Sequence, residues 1–317
     1  MATTSINLKG KGERADKGFR TLALLAGLLV LVILGYIALV TTREAQPAFS
    51  LMGLEFFFTN DWNPPADVFG AAAFIYGTFL SSLIALVFAV PISIGIALFI
   101  TQIAPRWLRN PMVYVLDLLA VVPSVVFGLW GVLTFAPWVQ GVYDSIADFV
   151  EPIPILNTIF STSQVSGRSF MTAGLILAIM IIPIITSLSR EVIETTPPGE
   201  REAALALGAT RWEMIRGAVF PHSKGGLTGA VMLGLGRAMG ETIAVALVIG
   251  SAAQITANTF APGDSMPAVI ANQFGEASGT FRAALIGLAV TLFFITIVVN
   301  VIANTVVQRS IKKSRGV

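Results

Sequence analysis

Cysteine is absent from the chain, and histidine occurs once, at His222. These two gaps exclude disulfides, thiolate metal sites, a cysteine nucleophile and a histidine-rich metal centre. Charge is nearly as scarce. Asp, Glu, Lys and Arg make up 12% of the 317 residues, against 55% hydrophobic, whereas a soluble domain carries about 25% charged residues. So few charges cannot cover a water-exposed surface of this size, and lipid must cover part of it. The net charge of +2 leaves no nucleic-acid footprint. Also missing is any Gly-x4-Gly-Lys-Ser/Thr loop, so there is no P-loop to bind ATP. If ATP drives this system, another polypeptide binds it.

What the chain has instead is long apolar runs. A helix needs roughly 20 apolar residues to cross the hydrocarbon core. Six segments qualify: Thr21–Thr42, Phe74–Thr101, Met112–Pro137, Phe170–Leu188, Leu227–Ala252 and Arg282–Val307. The reading is therefore an all-α membrane protein with about six transmembrane helices. Pro91, Pro123 and Pro183 fall inside three of the runs, as simple kinks or as hinges; spanning helices tolerate both, because neighbours satisfy the freed carbonyls. The first run is too long for an ordinary signal-peptide core and shows no small-x-small cleavage site after it, so it reads as an uncleaved anchor. With both termini in the cytoplasm, 16 of the 20 lysines and arginines fall inside, and only Arg43, Arg168 and Arg282 outside. That asymmetry orients the chain. The division is then a cytoplasmic tail at 1–20, a transmembrane region at 21–308 containing a cytoplasmic loop at 191–221, and a second tail at 309–317. The outer connections Arg43–Ala73, Trp138–Ser169 and Ala253–Phe281 carry more acid than base, with Asp144, Asp148 and Glu151 clustered in the second. They are either ordinary solvated loops or a docking face. Trp62, Phe56–Phe58 and Trp138 suit an interfacial aromatic belt.

The longest cytoplasmic connection, Ser189–Lys224, reads as two short helices. Thr196-Pro197 supplies an N-cap with proline at the first helical position. The first helix runs through Glu200 to Leu207 and stops at Gly208, which can take the left-handed conformation. The second opens at Thr210 with Glu213 three residues on, a capping box, carries Trp212, Met214, Ile215 and Val219, and ends before Pro221. Small residues at Ala203, Ala204 and Gly208 permit close approach of another protein, with Arg201, Glu202 and Arg211 as a polar rim. The alternative is a surface helix packed on its own bundle.

Within the fifth run, Arg237 and Glu241 stand four residues apart among Gly234, Gly236 and Gly240. An intramembrane arginine normally faces a cavity or a partner. Two readings fit. One is a structural ion pair that pins helix packing. The other is an anion site, in which the guanidinium fork grips oxyanion oxygens and Glu241 accepts a hydrogen bond from a protonated oxygen, a proton that phosphate carries and sulfate lacks. Asp117 is a further charge inside a run, able to pair with Arg237 or Arg190 or to lie near an interface.

Glu202-Ala203-Ala204, then Gly208, then Pro221 resemble the EAA loop of ABC importer permeases. Ala218-Val219-Phe220 departs mildly from the aliphatic-x-Leu usual before the final proline. Gly236-Arg237-Ala238-Met239-Gly240-Glu241-Thr242 resembles the signature of phosphate-specific (Pst) importer permeases, as does Pro123-Ser124-Val125-Val126-Phe127-Gly128-Leu129-Trp130-Gly131. Asn60-Asp61-Trp62-Asn63-Pro64 is similar to the C-type subunit of that family. The resemblance covers the chain after residue 20. It implies a type I ABC importer permease fold in the inner membrane and transport of inorganic phosphate. It further implies a path involving Arg237, Glu241 and Thr242, and coupling through Glu202, Ala203, Ala204, Gly208 and Pro221. The implied partners are an A-type permease subunit, a cytoplasmic ATP-binding subunit dimer and an extracytoplasmic phosphate-binding protein. No cofactor is implied for this chain; ATP and Mg would be used by the ATPase. The rivals are a permease for another oxyanion, sulfate or molybdate, and an ion-coupled secondary transporter, which would show inverted repeats.

Overall fold

A computed structural model describes residues 13–161 and 166–314; Lys9, Lys11 and Arg315 of the two tails lie outside the described residues. Among the described residues, five helical stretches are long and apolar enough to cross a membrane: Asp16–Met52, Ala72–Ile103, Ser124–Val150, Phe170–Glu194 and Gly279–Ala303.

The chain opens with α1 (Glu13–Met52), which carries Pro47 inside it. It runs ten residues past the expected end of the first span, so much of the first outer connection is helix. After α2 (Glu55–Phe58) comes a hairpin, β1 (Trp62–Asn63) antiparallel to β2 (Val68–Phe69). Its turn holds Asp67 at φ 54. Trp62 lies edge-on to Phe69 and Phe74 with ring centroids 5.4 and 5.0 Å apart, and its indole N–H donates to Gln273 at 2.9 Å. Phe56 is fully buried in the same cluster. Trp62 and Phe56 thus form a packed cap rather than an interfacial belt, because the hairpin folds them onto the helices; Phe58 and Trp138 remain exposed.

Next come α3 (Ala72–Leu98), a π-turn over Phe99–Ile103, and α4 (Arg106–Val121). Pro91 sits inside an unbroken α3, whereas Pro123 ends α4 and starts α5 (Ser124–Trp130). A second π-turn leads into α6 (Ala136–Val150), followed by α7 (Pro154–Phe160) and α8 (Phe170–Glu194), which is continuous through Pro183. α8 is the centre of the bundle, packed on α3, α4 and the later helix α11 (Phe220–Gly240). Arg109 of α4 pairs with Glu194 at the end of α8. A Cβ on Gly131 would meet Ile176 near α8's start, and Gly167 lies against Ala136. α4 and α5 together therefore run antiparallel to α8 over nearly its whole length. The expected third span, Met112–Pro137, is thus split at its proline into α4 and α5, and the stretch long and apolar enough to cross begins only at Ser124. α6 extends beyond the start of α8 as an amphipathic helix whose buried side is Val139, Tyr143, Ala147 and Val150, so Asp144 and Asp148 stand on helix, not loop.

Two short helices, α9 (Pro198–Ala206) and α10 (Arg211–Met214), connect α8 to α11, with a π-turn over Ile215–Val219. α11 stops at Gly240, and α12 (Ile243–Val248) follows after two residues. The expected fifth span, Leu227–Ala252, is thus two helices and not one. Beyond it the chain turns at Gly250 (φ 105) and Ser251 (φ 54) and folds back. The Gly263 N–H donates to the Ile249 carbonyl at 2.8 Å, and the Ala252 N–H to the Gly263 carbonyl at 2.9 Å. Asn258, Thr259, Phe260, Asp264 and Ser265 are buried, so this part of the third outer connection is interior and not a solvated loop. Last come α13 (Met266–Gln273) and α14 (Gly279–Ser314). α1 packs on α14, where Gly287 admits Phe49 and Phe56.

Candidate functional site

The two regions singled out in the sequence sit on different parts of the bundle. At the end of α8 that carries Glu194, α9 starts one residue later than the spacing predicts. Pro197 is its N-cap and Pro198 its first residue. Thr196 is buried instead, its hydroxyl 3.3 Å from that of Ser223 on α11, so it ties the connection to the bundle and caps nothing. Arg201 also turns inward, donating to the Ile193 carbonyl at 2.9 Å, and is no rim residue. Ala204 packs on the cluster of Ala97, Ile193, Met214, Ile215 and Val219, while Glu202 and Ala203 face outward. Gly208 takes φ 83 with nothing within 4 Å of where a Cβ would stand, the left-handed stop that glycine permits.

The capping box is present. The Thr210 hydroxyl accepts from the Glu213 N–H at 3.3 Å, and the Glu213 carboxylate accepts from the Thr210 N–H at 2.8 Å. The Thr210 N–H bond first, and then a 2.8 Å bond that the Thr210 hydroxyl donates to the same carboxylate, hold the Glu213 carboxyl below its ordinary range. The helix does not end before Pro221. It passes through the π-turn, where the Phe220 N–H reaches back five residues to Ile215, and Pro221 follows at the start of α11, a position where its missing N–H costs little. Pro221, His222, Glu200, Ala204, Leu207 and Gly226 line a cavity of about 860 Å³ behind α9, with His222 Nδ1 3.7 Å from Glu200. The sequence reading missed the apolar side chains on the outer side. Leu207 is 89% exposed and Trp212 60%. The available signal was two large apolar residues flanking a glycine in a connection otherwise rich in charge.

The second region is the break between α11 and α12. Gly234 packs on Ile185 and Ile181, in the middle of α8, so Arg237, one turn on, stands near mid-height of α8 on an exposed side of α11. Its guanidinium stands 3.6 Å from the Glu241 carboxylate, with the arginine side chain 46% exposed and the glutamate 6%. The two do not share a helix face in the ordinary sense. Glu241 is the first residue past α11, in extended conformation (φ −71, ψ 127), and it bends back to Arg237. Its other oxygen accepts from the Ala244 N–H of α12 at 3.4 Å, and the Thr242 hydroxyl donates to the Gly240 carbonyl at 3.3 Å. Ala244 is also where the second glycine-containing motif arrives, since a Cβ on Gly128 of α5 would stand 2.9 Å from its Cα. The two stretches, Pro123–Gly131 and Gly236–Thr242, thus meet through α12. Asp117 does not join them: it is exposed on α4, while Arg237 is committed to Glu241.

Residues 89–315 match the family described as the binding-protein-dependent transport system inner membrane component. The phosphate transport system permease protein PstC of Xylella fastidiosa (strain Temecula1) is 41% identical over 304 residues, 96% of this chain and 94% of that protein. PstC of Mesorhizobium japonicum is 42% identical over 296 residues, 93% and 90% of the two chains. Among solved structures, a bacterial alginate ABC transporter in complex with its alginate-bound periplasmic protein contains a chain that superposes with a TM-score of 0.55 at 18% identity, over 95% of this chain and 99% of that one. An inward-facing form of the MetNI methionine ABC transporter gives 0.52 at 16% identity, over 74% and 91%. These last two share the fold. With the family match covering most of the chain, a helical bundle of type I ABC importer permease architecture, and relatives aligned nearly end to end, the protein belongs to the binding-protein-dependent transport system inner membrane components, as a multi-pass permease subunit of the PstC group.

Proposed function

We propose that this chain forms half of the path for inorganic phosphate in an ATP-driven importer, with a second, A-type permease subunit as the other half. The observation that carries the reading is the Arg237–Glu241 pair. A guanidinium left 46% exposed on the side of an apolar bundle, beside a carboxylate 6% exposed, presents its donor fork to whatever passes that side. Phosphate oxygens fit that fork bidentately. The buried carboxylate accepts a hydrogen bond from a protonated oxygen and repels an anion that has no proton to offer. The identity and near full-length coverage of the phosphate-transport relatives support the same substrate.

Coupling belongs to the α9–α10 connection. Glu202, Ala203 and Gly208 form its outward surface, with Leu207 and Trp212 as apolar contacts and Ala204 and Pro221 holding the connection to the bundle behind it, and a separate ATPase dimer using ATP and Mg would seat there. An extracytoplasmic phosphate-binding protein would deliver substrate to the opposite end, where α6 presents Asp144 and Asp148. Both termini would lie in the cytoplasm. The test is uptake of labelled phosphate and sulfate into vesicles holding both permeases, with the ATPase, ATP or the binding protein each omitted in turn. Uptake of phosphate over sulfate that needs all three is expected. Phosphate entry at the same rate without ATP overturns the reading.

A further inference from the structure

No residue of α4 is fully buried among the described residues, although one side of the helix packs on α8 with Met112, Val113 and Leu116 partly covered. Its free side is a stripe at helical spacing, Tyr114, Leu118 and Val121, continued on α5 by Val125 and Leu129, all exposed. Asp117 lies on the same stripe and is exposed; among the described residues no cation or hydrogen-bond donor meets it. The Arg109–Glu194 pair fixes one end of α4 to one end of α8. Asp117 is eight residues further on, roughly 12 Å along the helix axis at 1.5 Å per residue, alongside the membrane-crossing helix α8. Hydrocarbon rejects a carboxylate there, and intramembrane acids pair or face a protein partner. Lipid alone would suit Tyr114, Leu118 and Val121; it does not suit Asp117.

We propose that this stripe is the surface on which the second permease subunit docks, and that a basic side chain of that subunit meets Asp117 within the bilayer. The inference rests on the two-permease reading above and adds the face and the residue. α5 carries the stripe onward and packs through Gly128 on Ala244, whose N–H donates to Glu241. A partner seated on the stripe would therefore stand about one helix diameter, ~10 Å, from the substrate pair, and the path would close between the two subunits.

The native chain has no cysteine, so a photoreactive maleimide can be placed at a single site. In membranes containing both permeases, the probe on Leu118→Cys is expected to give an adduct with the second permease, while the same probe on Leu28→Cys, exposed on α1, gives none. Adducts with lipid only, or with another copy of this chain, overturn the proposal. Independently, Asp117→Lys should lower recovery of the second permease with the tagged chain by about tenfold or more, since like charges would then meet in low dielectric; Asp117→Asn should lower it less. Unchanged recovery with Asp117→Lys also overturns it. Phosphate uptake by the unaltered complex separates the two readings: absent uptake counts against the substrate, while the crosslink and the Asp117→Lys recovery decide the docking face.

Discussion

Glu241 reaches Arg237 from beyond the end of the helix that carries the arginine, closing to 3.6 Å from a position 6% exposed. A purely structural pair and a substrate site respond differently to the loss of one member. Glu241→Gln keeps the shape and keeps an oxygen for the Ala244 N–H, so the fold should survive. The amide no longer repels an unprotonated anion. Phosphate uptake should fall by about tenfold, the worth of one charge-assisted hydrogen bond, and the preference for phosphate over sulfate should narrow. Parallel uptake of the two labelled anions measures this; intact discrimination would remove the proton-reading role.

Arg237→Ala makes the complementary case. It leaves a buried carboxylate without its cation, at a cost below the about 3–5 kcal/mol of a fully buried pair because the arginine is half exposed. The single variant should lose both melting temperature and transport. Adding Glu241→Gln should return most of the melting temperature and none of the transport. If the double variant regains uptake, the pair serves packing only.

The connection between α8 and α11 allows a sharper separation of backbone from contact. Gly208 stands at φ 83 with open space around it. Gly208→Ala adds only left-handed strain, about 1–2 kcal/mol, and should leave association with the proposed ATPase largely intact. Gly208→Arg fills the space a partner would use, and Leu207→Asp replaces an apolar side chain 89% exposed with a charge. Both should reach the membrane at normal levels and lose copurification of the ATPase. Normal copurification with both would move the docking site elsewhere.

Gly128 and Gly141 form a matched test of packing. A Cβ on Gly128 would stand 2.9 Å from the Ala244 Cα and 2.8 Å from Leu247 Cδ1, whereas Gly141 has nothing within 4 Å. Gly128→Ala must therefore push α5 and α12 apart, costing about 1–3 kcal/mol, and should disturb Glu241 enough to lower uptake. Gly141→Ala lies in α6 with room to spare and should be neutral or stabilising by about 0.5–1 kcal/mol. Melting temperatures in detergent, with uptake alongside, rank the two.

What could be read from the sequence was what short-range chemistry decides. The Thr210–Glu213 capping box and the Gly208 stop need only their neighbours in the chain, and both are present. Pro123 breaks its span while Pro91 and Pro183 do not, a difference set by packing that spacing alone leaves open. The end of α11 at Gly240 was hidden for a related reason. Apolar residues continue past Thr242, so hydropathy sees one span, while the break lies where Gly240 ends α11 and one carboxylate meets both Arg237 and the Ala244 N–H. The buried fold-back after Gly250 was least legible, because its Asn, Thr, Pro and Gly residues read as solvated loop until their hydrogen bonds are seen. Leu207 and Trp212 were passed over in favour of the small residues beside them.

Asp264 supplies a prediction with a definite sign. It lies in that fold-back, outside the spanning helices, 5% exposed, with the Ser265 N–H donating to it at 2.8 Å and no cation paired with it among the described residues. Burial pushes its carboxyl up from 3.8 to about 7, partly countered by the Ser265 bond. The folded state therefore holds the proton more tightly than the unfolded chain. Its contribution to stability is fully present below the unfolded value, near pH 4, and is lost as pH rises through about 7. The difference between the two values corresponds to at most about 4 kcal/mol. Asp264→Asn keeps the shape and an acceptor for Ser265 without the titration. Its melting temperature should exceed that of the native protein at about pH 8, and the gap should shrink as pH falls to about 5. A gap that stays constant across that range would mean the carboxyl is already ionised in the fold, with a cation holding it so.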